Sequence, residues 1–308
     1  MRGQESRAPA ARDAHERHEQ PCLSVVIATF NGEQFLPLQL EALSGQSWDQ
    51  RFEVLIADNG STDSTVNVAQ RFADRLELRI VDASKQRGQT YARNMGVAAA
   101  KASRIILLDQ DDMISDGYLA AMSRALDSNA LVAARIDVLQ LNPGWVSQAR
   151  EIVQTSQLPT EPVAWGYGCT LGVHKEVFDS VGGFDTSLIG GGEDVDLCWR
   201  LSTRGIRIEF VPEAVLHYRI PDTLRALFRQ GRRYGFAGVS VYRVPGRVPP
   251  QFSSLGWARG TLGAARLAAF GTGRGDRGRG VFLLGRRLGQ AQGEITARLP
   301  WARSLAPR

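Results

Sequence analysis

The strongest constraint on this chain is a repeated unit in which a short apolar run stops in polar residues and gives way to a helical period. Ser24-Val25-Val26-Ile27-Ala28-Thr29-Phe30-Asn31 is the first instance, followed by a helix with Phe35, Leu36, Leu40 and Leu43 on its apolar face. Phe52 to Ala57 breaks into Asp58-Asn59-Gly60-Ser61, and a third strand near Leu76 to Val81 precedes a helix from Thr90 to Ala100. The fourth run, Arg104 to Leu108, ends in Asp109-Gln110-Asp111-Asp112. A βαβα period predicts an α/β class with an open, mostly parallel sheet, whose strand ends line one crevice at the carboxyl edge. Side chains alternate along a strand, so Asp109 and Asp111 are expected to aim at one point. Such a carboxylate pair suits a hard divalent cation, Mg²⁺ or Mn²⁺, that fills its shell with water and phosphate oxygens.

Five segments together resemble the inverting family-2 glycosyltransferases, whose nucleotide-sugar-binding fold is called GT-A. They are the opening strand Ser24–Asn31, the Asp58-Asn59-Gly60-Ser61-Thr62-Asp63 turn, Ala92-Arg93-Asn94-Met95-Gly96, the Asp109–Asp112 cluster and Gly192-Glu193-Asp194-Val195-Asp196-Leu197. They occur in the family's order across residues 22 to 218 and are far more specific jointly than singly. The Glu193–Leu201 stretch, followed by Val211 to His217, is similar to bacterial members that build surface polysaccharide, rhamnosyltransferases among them.

The resemblance implies a site. Ala28, Thr29, Asn31, Asp58, Arg93 and Asp109 would bind a UDP- or dTDP-sugar donor, with Asp58 accepting from the base. Asn59 departs from the commoner Asp at its place. Asp111 and His217 would hold Mg²⁺ or Mn²⁺, whose charge neutralises the leaving diphosphate. Asp194 would be the general base that deprotonates a hydroxyl of a glycan or lipid-linked acceptor. Gly190-Gly191-Gly192 gives a mobile approach, and Glu193-Asp194 opens a helix whose amides favour a carboxylate. Glu193 is the second candidate base or a partner that orients the acceptor. Several residues also have plainer readings: Asp112 as a cap or turn acceptor ahead of a helix near Ser115, Arg93 as a surface residue, Asp196 and Arg200 as a surface i,i+4 pair. Trp165 and Tyr167 fall where the acceptor channel should be, or in the core.

Charge and composition set further expectations. At 308 residues and 43% hydrophobic, one large core and a smaller appendage are expected. Residues 1–20 lack an apolar signal segment and read as a disordered tail, ahead of a catalytic domain over 21–218. Three widely spaced cysteines, Cys22, Cys169 and Cys198, argue against a disulfide framework or zinc site. No apolar run reaches the length of a spanning helix, and a cytoplasmic location follows as an expectation. Residues 219–308 carry 17 arginines, no lysine and three acids, a balance of +14 against +5 for the whole chain. This basic, mostly helical region, with Gly271–Gly280 read as a flexible link, is expected either to lie on an anionic membrane at the inner face of the plasma membrane or to pack on the catalytic domain. No nucleic-acid-binding motif accompanies the charge.

Other classes fit less well. A sugar-phosphate nucleotidyltransferase would need a basic, glycine-rich loop after the first strand, where this chain has Thr29-Phe30-Asn31-Gly32-Glu33. A dehydrogenase would need GxGxxG there. A non-catalytic nucleotide-sugar-binding module would be free to lose the carboxylates that are all retained here.

Overall fold

The computed structural model describes residues 20–188, 190–244, 246–247 and 253–298. The N-terminal tail, apart from Gln20, lies outside them. Eight strands form one sheet: β1 Leu23–Thr29, β2 Phe52–Asp58, β3 Glu77–Asp82, β4 Arg104–Asp109, β5 Met113–Ile114, β6 Leu131–Asp137, β7 Leu171–His174 and β8 Ile208–His217, in the order β3-β2-β1-β4-β7-β6-β8-β5. The first half, β3 to β4, is wholly parallel. The second half is mixed, with β7 antiparallel to β4 and β6, and β6 parallel to β8. The fully buried, apolar β1 is what a parallel sheet covered on both faces requires.

Ten α-helices flank this sheet among the described residues: α1 Leu36–Ser44, α2 Thr65–Gln70, α3 Gln89–Ala99, α4 Tyr118–Ser128, α5 Gly144–Ala149, α6 Lys175–Ser180, α7 Glu193–Ser202, α8 Leu224–Ser240, α9 Ser254–Phe270 and α10 Arg274–Arg298. Small residues on α3 let it approach β1 closely. A methyl on Gly96 would overlap the Val26 side chain, and Ala92 packs with Ala28, Ala57 and Ala83. That contact fixes where Arg93, one residue along the helix, can reach.

Several local expectations change. β4 stops at Asp109 and the chain turns, so Asp111 lies in a turn and strand alternation does not aim it. Pro212-Glu213-Ala214 forms a bulge within β8, where the β6 partner register jumps from Val211 to Val215. The stretch 274–280, read as a flexible link, is the start of α10. Its glycines permit close packing, since a methyl on Gly280 would meet the Ala268 backbone and one on Gly285 or Gly289 the backbone of α8. Leu227 of α8 and Phe282 of α10 join the same core as β1 and β4, so residues after 219 pack against the sheet domain.

Candidate active site

The register of three strands assembles one edge. Thr29 pairs with Asp58 and Ala28 with Asp109, which puts four of the expected donor-binding residues side by side where β1, β2 and β4 end. Asp58 accepts from the amides of Gly60 and Ser61, from the Ser61 hydroxyl and, at 3.4 Å, from Thr29 Oγ1. It therefore organises its own turn. Asn31, at φ 48°, accepts from the Thr62 amide at 2.8 Å and ties the β1 loop to the same turn. Asn59 is buried and donates through Nδ2 to the carbonyls of Ala83 and Gln86, while its Oδ1 accepts from the Gly88 amide. Only an amide can do both, which accounts for Asn where Asp is commoner.

Arg93 is not a surface residue. It is 2% exposed and its guanidinium spans two carboxylates, Nη2 to Asp109 Oδ1 at 2.6 Å and Nη1 to Glu193 Oε1 at 3.0 Å. Gln89 donates to the same Asp109 oxygen at 2.7 Å. Asn94, next along α3, exchanges two hydrogen bonds with the Phe184 backbone and so fixes the Gly182–Asp185 turn. Glu193 is thus committed to Arg93, which favours its reading as an orienting partner over that of a free base.

The turn after β4 concentrates negative charge. Ligand atoms of Asp109, Asp112 and Cys169 lie within 4.8 Å of one another. Burial, then repulsion from Asp109, pushes the Asp111 carboxyl up to about 6. Burial and the charges of Asp111 and Asp109 push Asp112 well above the carboxylate range, and its Oδ2 is buried with no hydrogen-bond partner among the described residues. Asp112 is not a helix cap: its Oδ1 accepts from the Arg219 amide, 107 residues on, because the β4 turn packs against the chain leaving β8. Two converging carboxylates, Asp109 and Asp112, with one orphaned oxygen fit a hard cation, whereas the grouping among the described residues includes neither Asp111 nor His217. The Cys169 thiol is driven up by burial and by Asp112 and Asp109, so it stays protonated and is no ligand for such an ion. His217 pairs with Met113 across β5 and β8, and its Nδ1 lies 2.8 Å from Asp137 Oδ2. Despite partial burial, that contact and the amides of Gln140 and Leu139 hold Asp137 below the usual range, so it is an anion that orients the His217 ring.

Asp194 stands one residue beyond the Arg93 link. Its Oδ1 accepts from the Val195 amide at 2.8 Å and its Oδ2 from the Gly168 amide at 3.2 Å. Burial, then the Glu193 charge, raises its carboxyl to about 7. It faces a cavity of about 810 Å³ that begins at Gln89, Arg93 and Asp109 and continues between Tyr167 and the α8–α10 pair. Trp165 and Tyr167 both line it, with ring centroids 5.1 Å apart. Gly190, Gly191 and Gly192 all have positive φ, and a methyl on Gly192 would strike Val241, so the glycine run is a tight pass against the C-terminal helices. Asp196, expected on the surface, is 1% exposed and bridges Arg200 and Arg247 at 2.6 Å each. Arg247 also stacks on Trp199, clamping the segment after α8 onto the back of the Asp194 helix.

Sequence reasoning missed Gln89, Asp137, Arg150 and Arg219. Each acts through a partner remote in sequence, and none sits in a distinctive local pattern.

The fold resembles solved glycosyltransferases. A mannosyltransferase from Pyrobaculum calidifontis, solved with GDP-Man and Mn²⁺, superposes with a TM-score of 0.67 at 19% identity over 91% of this chain and 88% of that one. TarS residues 1–349 from S. aureus, solved with UDP, gives 0.52 at 15% identity over 90% and 91%. These likenesses define the class, a GT-A glycosyltransferase fold. The profile described as glycosyl transferase family 2 matches residues 24–184, and the chain belongs to that family. A second profile, N-terminal domain of galactosyltransferase, matches residues 156–222. Among curated relatives, glycosyltransferase AglE of Haloferax volcanii is 27% identical over 69% of this chain and 72% of its own length. The pre-mycofactocin glycosyltransferase of Mycobacterium tuberculosis is 28% identical over 87% of this chain, which spans 57% of that relative. The chain is a glycosyltransferase.

Proposed function

We propose that this enzyme moves a sugar, with inversion, from a nucleoside diphosphate donor to a hydroxyl of a glycan or lipid-linked acceptor, and that it requires Mg²⁺ or Mn²⁺. The observation that carries the reading is the continuous arrangement from the β1–β2–β4 edge through Arg93 and Glu193 to Asp194 on one cavity. Ala28, Thr29, Asn31 and Asp58 form the base end, and Asp109, held by Arg93 and Gln89, meets the donor's ribose or sugar. Asp111 and His217, with Asp112 as a further candidate ligand, would hold the cation, which when bound would supply positive charge to the leaving diphosphate. Asp194 takes the acceptor proton. Its carboxyl, raised to about 7, is matched to that role near neutral pH. Residues 21–218 act as the catalytic unit, and α8 and α10 of the basic region border the acceptor side.

Among the described residues no helix is long and apolar enough to cross a membrane. The exposed Leu255, Leu262 and Phe270 on α9, with Arg259 and Arg266 between them, support peripheral contact with an anionic bilayer. The test of the reaction is nucleotide release from a panel of UDP-, dTDP- and GDP-sugars with and without Mn²⁺. Metal-dependent release from one donor is expected. Equal release in excess chelator, or none from any donor, overturns the reading.

A further inference from the structure

The cavity beyond Asp194 contains a buried cation, Arg150, that no acid among the described residues pairs with. Arg150 is 3% exposed and lines the cavity, yet among the described residues it forms no ion pair. Four rings surround its guanidinium instead: Tyr234 at 4.9 Å, Tyr218 at 5.3 Å, Phe282 at 5.7 Å and Tyr167 at 5.9 Å. Its hydrogen bonds run to two neutral groups, the Tyr218 hydroxyl at 3.3 Å and Gln230 Oε1 at 3.2 Å. Burial raises the Tyr218 and Tyr167 phenols, so they stay neutral and supply no countercharge. A buried charge is ordinarily paired, and a cage of rings replaces only part of the lost hydration.

Further cations lie on the same cavity. Arg286 and Arg287 project from α10 and Arg233 from α8, and none of them makes an ion pair among the described residues. Arg286 sits at the exposed rim of the cavity, and partial desolvation there together with the Arg287 and Arg150 charges holds it below the usual arginine range, as expected for like charges gathered round a space. Of the acids on the wall, Asp109 and Glu193 are taken by Arg93 and Glu151 by Arg279, leaving Glu161 and Glu294 with no ion pair among the described residues. Asp194 borders the other part of the space.

We infer that Arg150, Arg286 and Arg287 form an oxyanion site, and that the acceptor carries a phosphate or carboxylate group which docks there while its hydroxyl reaches Asp194. This rests on the reading of the cavity as the acceptor side of a transferase. The aromatic cage selects an anion borne on an apolar or ring-shaped body, and guanidinium groups recognise either oxyanion by paired N–H donors.

The test is calorimetric titration of the full chain with phenyl phosphate, benzoate and phenyl β-glucoside, in chelator, where the bare carboxylates after β4 repel anions. Saturable binding of an anionic probe is expected, weakening about tenfold in Arg286→Gln and again in Arg287→Gln, while the glucoside is indifferent to both. Arg150→Gln removes the buried member, and the two helix-surface variants keep the test decisive should that variant fold poorly. Tighter binding of phenyl phosphate than benzoate assigns the phosphate class, and the reverse order assigns the carboxylate class. Anions that bind no better than the glucoside, or equally well in both variants, overturn the site. Nucleotide-sugar binding is measured separately on the wild type. If that fails while the anion still binds, the transferase reading falls and the oxyanion site stands.

Discussion

The ionisation of Asp194 makes the sharpest quantitative claim. With its carboxyl near 7, only about a tenth is ionised at pH 6 and about nine-tenths at pH 8, so kcat/KM should rise about tenfold between them. A carboxylate at its ordinary value of 3.8 would be fully ionised throughout and would give a flat profile. Glu193→Gln removes the neighbouring negative charge and frees Arg93 to act on Asp194, and both changes favour the anion. At an effective dielectric near 20 a like charge about 6–12 Å away is worth roughly 1–2 units, so the rising limb should move that far toward acid. Stability gives an independent readout. A folded-state value raised above the unfolded one contributes stability that is present below about pH 4 and lost as pH rises through about 7. The raised value sets a ceiling of about 4 kcal/mol, and because Asp194 borders an open cavity roughly 1–2 kcal/mol should survive. Asp194→Asn is therefore expected to lose about 10²–10⁴-fold in turnover yet to resist urea better than the wild type at pH 8, with no difference near pH 4. A pH-independent kcat/KM from 5.5 to 8.5, or an Asn variant less stable than wild type at pH 8, would refute the assignment.

Asp111→Asn should lower turnover at least about a hundredfold while leaving the melting temperature of the metal-free protein unchanged or raised, since it removes a repelled charge; full activity of the variant would exclude Asp111 as a ligand. Asn59→Asp sets a carboxylate against the carbonyls of Ala83 and Gln86 and should cost about 2–3 kcal/mol by urea unfolding; an unchanged midpoint would count against that account. Arg247→Ala strips one partner from the buried Asp196 and should destabilise the fold by about 3 kcal/mol, and a loss under about 0.5 kcal/mol would mean the clamp is incidental. The full chain should pellet with anionic vesicles at low salt and be released as ionic strength rises, whereas Leu262→Ser and Phe270→Ser should bind less; failure to pellet at low salt would assign the basic helices to packing.

What could be read from the chain was whatever repeats locally. The apolar runs of β1, β2 and β4 and their polar ends were legible because strand period and turn residues are written within about ten positions. The same reasoning misplaced Asp111, because the strand ends at Asp109, two residues short of it. It set Asp196 on a surface that Arg247, 51 residues later, turns into an interior. It took glycines at 271–280 for a linker, since spacing reveals nothing of a neighbouring helix near enough to need them. Arg150 was invisible for the same reason: its four rings come from four separated places in the chain.

The span of Arg93 between Asp109 and Glu193 bears on how such an enzyme can be rebuilt. One guanidinium belongs to both the strand-end half and the half that presents Asp194, so the boundary between them is not a neutral place to splice. A chimera that imports a new acceptor region after residue 155 brings in its own counterpart of Glu193, and with it the setting of Asp109. Grafts that keep an acid at that position inherit a working seam; grafts that lose it turn Arg93 wholly onto Asp109 and retune the donor end from the far side.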